Sequence, residues 1–203
     1  MTLKVKVNGE DREFSVSDLA GLARRYGIDQ VANGRISWLF MLQLHLESEC
    51  NGIDPAMVID ELRGLEGGPV RTATKAATQY AREPLKGLWH KHFFSATFLV
   101  RNIKNQLGGG KLESVVADAF GPLGSVITAA KISDIAKRVA VDTFQAREAE
   151  GRLTGEWIIF AKHDGGNYYL ALTTHDAGDE VIYQQITSIC VPQFPFLKSQ
   201  VCR

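Results

Sequence analysis

The sequence predicts an α+β fold, mostly helical, with antiparallel β-hairpins near its N- and C-terminal ends. Three observations carry this expectation. Apolar residues alternate through Leu3–Val7 and return over Arg12–Val16, on either side of Asn8-Gly9. Two further apolar runs, Trp157–Ala161 and Tyr168–Leu172, flank His163-Asp164-Gly165-Gly166. Between the two hairpins the apolar spacing is helical, and no strand–helix–strand alternation calls for a parallel sheet. Asn-Gly and Asp-Gly suit two-residue hairpin turns because both central residues must adopt positive φ.

Taken in order, the first hairpin places Leu3, Val5, Val7, Phe14 and Val16 on one buried face. Ser17 is the expected N-cap of a helix Asp18–Tyr26, with Gly27 as its stop. This hairpin-then-helix opening is similar to the first part of β-grasp domains. The longest apolar stretch, Ile36–Cys50, has a wide helical face of Ile36, Phe40 and Leu44 joined by Leu39, Leu42 and Leu46. Gly52 breaks it. Asp54 caps the next helix, Pro55–Leu65, with Pro at its first position. Gly67-Gly68-Pro69 sets a candidate boundary between an N-terminal part, 1–68, and an α+β domain, 69–203, that carries the candidate site.

Thr72–Ala81 reads as a helix ended by Glu83-Pro84. Further helices are expected from Ser95 or Thr97 to Leu107, over Leu112–Phe120, from Ser133 to about Glu150, and over Asp179–Cys190. In the terminal hairpin the turn sets Lys162 opposite Asn167, Phe160 opposite Tyr169 and Trp157 opposite Leu172. Side chains alternate along a strand, so one face carries Trp157, Ile159, Ala161, Tyr168, Leu170 and Leu172 and reads as core. The other carries Glu156, Ile158, Phe160, Lys162, Asn167, Tyr169, Ala171, Thr173 and His175, a mixed face where function is expected.

Composition narrows the classes. Lys+Arg and Asp+Glu balance at 23 each, so bulk charge makes no case for a nucleic-acid binder. The three cysteines, Cys50, Cys190 and Cys202, have neither metal-site spacing nor the pattern of a disulfide framework. No signal-peptide core opens the chain, and no apolar run approaches the roughly 20 residues a membrane helix needs. A cytoplasmic protein with no membrane partner is the expectation. Gly108-Gly109-Gly110-Lys111 lacks the phosphate-loop spacing, no Gly-x-Ser-x-Gly elbow occurs, and no cofactor is expected.

Candidate chemistry centres on histidine. His90 and His92 lie in Leu88-Trp89-His90-Lys91-His92-Phe93-Phe94, His163 at the hairpin turn, and His175 just past its second strand. Two imidazoles can act as base and acid in one reaction near neutral pH, and Lys162 or Lys91 can stabilise an anion. The expected catalytic set is His90, His92, Lys162, His163 and His175. The expected substrate contacts are Lys91, Arg101, Phe160, Tyr168, Tyr169 and Thr173, cations for phosphates and aromatic rings for bases. These groups are what metal-independent RNA cleavage requires. Their kinds, together with the terminal hairpin, are similar to those of the small bacterial ribonuclease toxins, which use His, Lys and Tyr on an antiparallel sheet. That resemblance implies RNA as the substrate.

Plainer readings stand beside these. The His90–His92 segment reads equally as a half-buried strand with Trp89, Lys91 and Phe93 one way and His90, His92 and Phe94 the other. His163 can be a solvated turn residue, and Tyr168-Tyr169 is ordinary strand composition. A non-enzymatic module using the aromatic hairpin face to bind a protein partner is the first alternative. A metal-dependent hydrolase is the second, with His90 and His92 joined by His163 or His175 and Asp164 or Asp176.

Overall fold

Two antiparallel sheets and a set of helices make up the computed structural model, which describes residues 1–69, 74–93, 156–174 and 177–201. All of these belong to one compact unit formed by residues 1–94 and 155–203. The helices expected between 95 and 150, and with them Arg101, lie outside the described residues, as do His175 and Cys202. An α+β fold is what the described residues show.

Strands β1 (Thr2–Val7) and β2 (Glu10–Ser15) pair around Asn8 and Gly9, whose φ values of 52° and 87° are those a two-residue hairpin turn demands. Helix α1 (Val16–Tyr26) starts earlier than expected, because Ser15 rather than Ser17 caps it. Asp18 decides this. Its backbone N–H donates to Ser15 Oγ at 3.2 Å and its carboxylate accepts from the Ser15 N–H at 2.8 Å, a reciprocal capping box that Ser17 has no partner to form. Val16 therefore belongs to the helix and not to the strand. Gly27 ends α1 in the left-handed region at φ 69°.

Helix α2 (Trp38–Asn51) buries Leu39, Phe40, Met41, Leu42 and Leu44, more of its circumference than one stripe, as befits a helix inside the fold. It begins two residues after Ile36 because Ser37 caps it. The same hydroxyl donates to the Leu170 carbonyl, and Ile36 stays extended as an isolated parallel bridge to Tyr169. The sheet edge at Tyr169 is thus covered by residues 35–37. Helix α3 (Pro55–Leu65) carries the expected Asp54 cap and first-position proline.

The second sheet is antiparallel, in the order β3 (Thr78–Gln79), β4 (Trp89–Phe93), β5 (Glu156–His163), β6 (Gly166–Thr174). No helix occurs among the described residues 74–81. That segment runs extended instead: Tyr80 N–H donates to the Leu88 carbonyl at 2.8 Å, and the Thr74 and Lys75 carbonyls both accept from Lys91. Asp164 and Gly165, at φ 47° and 75°, form the β5–β6 turn. Lys162 faces Asn167 and Phe160 faces Tyr169 as expected. Trp157, however, pairs with Thr173 and not Leu172, because the register shifts between Ile159 and Phe160. The extra residue is Leu170, which bulges out beside Ala171 on one face. Past the bulge the faces exchange: Ala171 and Thr173 join Trp157 and Ile159, while Leu172 joins Ile158.

Both faces of this sheet are packed. One holds Ile159, Ala161, Leu170 and Ala171 against Ile182, Ile186, Cys190, Phe194, Leu197 and Val201 of the C-terminal segment. That segment is α4 (Asp179–Gln185), a π-turn over Ile186–Cys190, and the short helices α5 (Val191–Gln193) and α6 (Leu197–Val201). Hydroxyls of Thr187 and Ser188 donate back to the carbonyls of Tyr183 and Gln184, the local bonding that widens a helical turn. The opposite face meets α2 and α3, where Phe40 lies 6.2 Å from the Tyr169 ring. Here Glu66 accepts from the Tyr169 hydroxyl at 2.7 Å, from the Arg35 guanidinium at 2.5 Å and from the Asn167 amide at 3.1 Å. Burial alone would raise the Glu66 carboxyl, but these donors outweigh it and hold its pKa below the ordinary value. Contacts of this kind join residues on the two sides of Gly67-Gly68-Pro69.

Candidate functional site

Strand alternation decides what gathers on each face of β4. Its odd-numbered residues Trp89, Lys91 and Phe93 pair with Phe160, Ile158 and Glu156; the even-numbered His90 and His92 pair with Ile159 and Trp157. His90 and His92 therefore share one face with Trp157. Their rings lie 5.8 Å apart, and the Trp157 ring is 5.0 Å from His90 and 6.0 Å from His92. Tyr80, just beyond β3, completes the group: its ring is 4.7 Å from His90 and 5.9 Å from Trp157. All four side chains are half-buried. Nδ1 of His90 and the Tyr80 hydroxyl are buried atoms with no hydrogen-bond partner among the described residues.

Electrostatics sharpen this picture. Burial pushes the His90 pKa below the ordinary imidazole value, against the opposing charge of Asp179, so the ring is neutral at pH 7. Burial and the same carboxylate raise the Tyr80 phenol far above its ordinary range, so it stays protonated. A pH dependence follows. Above about pH 7.5 the His90 ring is neutral in folded and unfolded chains alike. Below that the unfolded chain takes up a proton that the folded ring resists, so stability is lost as pH falls from the unfolded value through the folded one. His90→Phe is expected to flatten the fall in melting temperature between roughly pH 7.5 and pH 5.5. An unchanged slope in that variant would show that the ring is not desolvated.

The other expected site residues are distributed elsewhere. Lys162 lies on the opposite face, exposed, with its ammonium 3.9 Å from the centre of the Trp89 ring. It does not meet the imidazoles. Lys91 also points to that opposite face, where its ammonium is buried and held by Glu61 at 3.3 Å, Thr74 Oγ1 at 2.5 Å and the Lys75 carbonyl at 2.6 Å. Phe160 and Tyr169, expected to stack bases, are fully enclosed by protein. His163 shares the imidazole face but sits four residues along β5 from the partner of His90, roughly 13 Å at the usual strand rise. It stacks flat on Phe196 at 3.9 Å, beside Tyr168 at 6.0 Å, and pins the C-terminal tail. Thr173, carried over by the bulge, stands opposite Trp157 on the imidazole face and is buried.

Sequence reasoning named the two imidazoles and missed Tyr80, Asp179 and the part of Trp157. Reading 72–81 as a helix hid Tyr80; the β-prone Thr78-Gln79-Tyr80 run ahead of Gly87 was the available signal. Among the described residues no three His, Cys, Asp or Glu side chains gather as a metal-ligating group. His175 and Asp176 lie outside those residues. Among the described residues, too, no helix is long and apolar enough to cross a membrane. No protein-family model, no curated protein and no solved structure matches the chain.

Proposed function

We propose that this chain is a cytoplasmic RNA-directed enzyme whose acid–base chemistry is carried by His90 and His92 without a metal ion. The observation that carries the reading is the half-buried, neutral imidazole of His90, set beside the second imidazole of His92 at 5.8 Å between ring centres. A neutral ring with an available nitrogen can accept a proton; its neighbour, when protonated, can return one. In RNA cleavage one ring takes the proton of the 2′-hydroxyl as its oxygen attacks phosphorus. The bond from phosphorus to the 5′-oxygen breaks, and the second ring protonates that oxygen. A 2′,3′-cyclic phosphate and a free 5′-hydroxyl result. Trp157, half-exposed beside both rings, offers the surface for a base to stack. Lys162 takes no part in the step, since it lies across the sheet.

The test incubates wild type, His90→Ala and His92→Ala with mixed RNA, in chelator, across roughly pH 5–9. Wild type is expected to cleave with a bell-shaped pH profile, and each variant to lose about 10²–10⁴-fold in rate while remaining folded. If folded wild type leaves the RNA intact, the enzyme reading falls and the interaction module takes its place.

A further inference from the structure

Tyr169 and Tyr80 both bury their hydroxyls, and among the described residues only that of Tyr169 has a partner. Tyr169 donates to Glu66 at 2.7 Å. The Tyr80 hydroxyl has no partner among the described residues, and Nδ1 of the adjacent His90 is in the same condition. Buried polar atoms nearly always find a partner, so two orphans on neighbouring rings call for an explanation. Nor does Tyr80 drift there by chance of a loose loop. Its N–H is held by the Leu88 carbonyl at 2.8 Å and its carbonyl by the Gly87 N–H at 3.1 Å, which fixes the phenol against His90.

We infer that the Tyr80 hydroxyl and Nδ1 of His90 form a subsite for one oxygen of a phosphodiester, an inference that rests on the RNA-directed reading above. The phenol is an O–H donor, and the Nδ1–H tautomer of His90 supplies a second, leaving Nε2 as the ring's proton-accepting nitrogen. Two donors on rings 4.7 Å apart select an atom that accepts, which excludes an ammonium or an amide N–H. Asp179 acts on both groups, so the single charge of a diester suits the pair better than dianionic phosphate. In cleavage, the same two donors would face the oxygen on which charge builds, the role that Lys162 was expected to fill. Both atoms are buried, so the diester enters as the edge of the sheet opens at the two-residue strand β3, Tyr80 being kept in place by its bonds to Leu88 and Gly87.

Tyr80→Phe isolates the hydroxyl because the ring remains. The probe is thymidylyl-thymidine, a phosphodiester that lacks the 2′-hydroxyl and is not cleaved by this route. Its affinity for wild type and Tyr80→Phe is measured by calorimetry, with thermal unfolding and RNA cleavage of both proteins in parallel. The expected result is a Tyr80→Phe protein at least as stable as wild type that binds the dinucleotide about 3- to 10-fold more weakly. Equal affinity, no binding by wild type, or a loss of stability showing that the hydroxyl already had a partner would each overturn the subsite. Wild type that binds through Tyr80 but leaves RNA intact would sink the catalytic reading and keep the subsite. Undiminished cleavage and binding in Tyr80→Phe would do the reverse.

Discussion

Glu61→Ala is expected to destabilise the protein by about 3–5 kcal/mol, the effect of stranding a buried charge. Glu61 and Lys91 are 3% and 7% exposed, and their charged groups lie 3.3 Å apart. Thr74 bridges them, donating to Glu61 at 2.7 Å while its oxygen accepts from Lys91 at 2.5 Å. Without the carboxylate, the ammonium keeps, among the described residues, only the neutral acceptors of Thr74 and Lys75, and must be buried charged or expelled. The pair joins α3 to β4 and draws residues 74–75 across the sheet, so the loss should also loosen the β3 ribbon. Urea denaturation measures the first effect and amide exchange at Tyr80 the second. Replacing both partners by apolar residues, Glu61→Leu with Lys91→Met, should restore most of the stability. A Glu61→Ala protein within about 1 kcal/mol of wild type would mean that the pair is solvated.

Phe160→Ala is expected to cost about 3–5 kcal/mol, as is usual for emptying a large buried site. Phe160 is 0% exposed, with Tyr169 at 5.9 Å and Trp89 at 6.3 Å between ring centres. It sits beside the register shift, where a cavity has no spare strand pairing to absorb it. Phe160→Leu, which keeps most of the volume, should lose only about 1.5 kcal/mol or less. Denaturation midpoints of the two variants decide the matter. Similar small losses in both would place the ring in contact with solvent, as a base-stacking surface would be.

Local signals wrote much of the fold into the sequence. The two hairpin turns, the Asp54 cap, the Pro55 start and the glycine stops at 27 and 52 each depend on neighbouring residues only. What lay beyond reach was set by contacts far apart in the chain. In the sequence Lys91 reads as a substrate contact because nothing near it announces Glu61 or Thr74. The Leu170 bulge follows from packing and from Ser37, 133 positions away, which donates to the bulged carbonyl. Its consequence was an exchange of faces at Thr173 and Leu172. The pairing of His90 and His92 was legible because residues two apart on a strand point one way. That Lys162 would point the other way depended on a strand pairing across the intervening 60-odd residues, with Trp89 facing Phe160.

The central claim is that the imidazole face of the second sheet, and not the Lys162 face, meets the nucleic acid. Side-chain nuclear magnetic resonance during titration with an uncleavable 2′-deoxy oligonucleotide tests it most directly. The imidazole signals of His90 and His92 and the indole N–H of Trp157 should move together and saturate, while the Trp89 indole and Lys162 stay in place. Movement confined to Trp89 and Lys162, or no movement anywhere at saturating oligonucleotide, would contradict it.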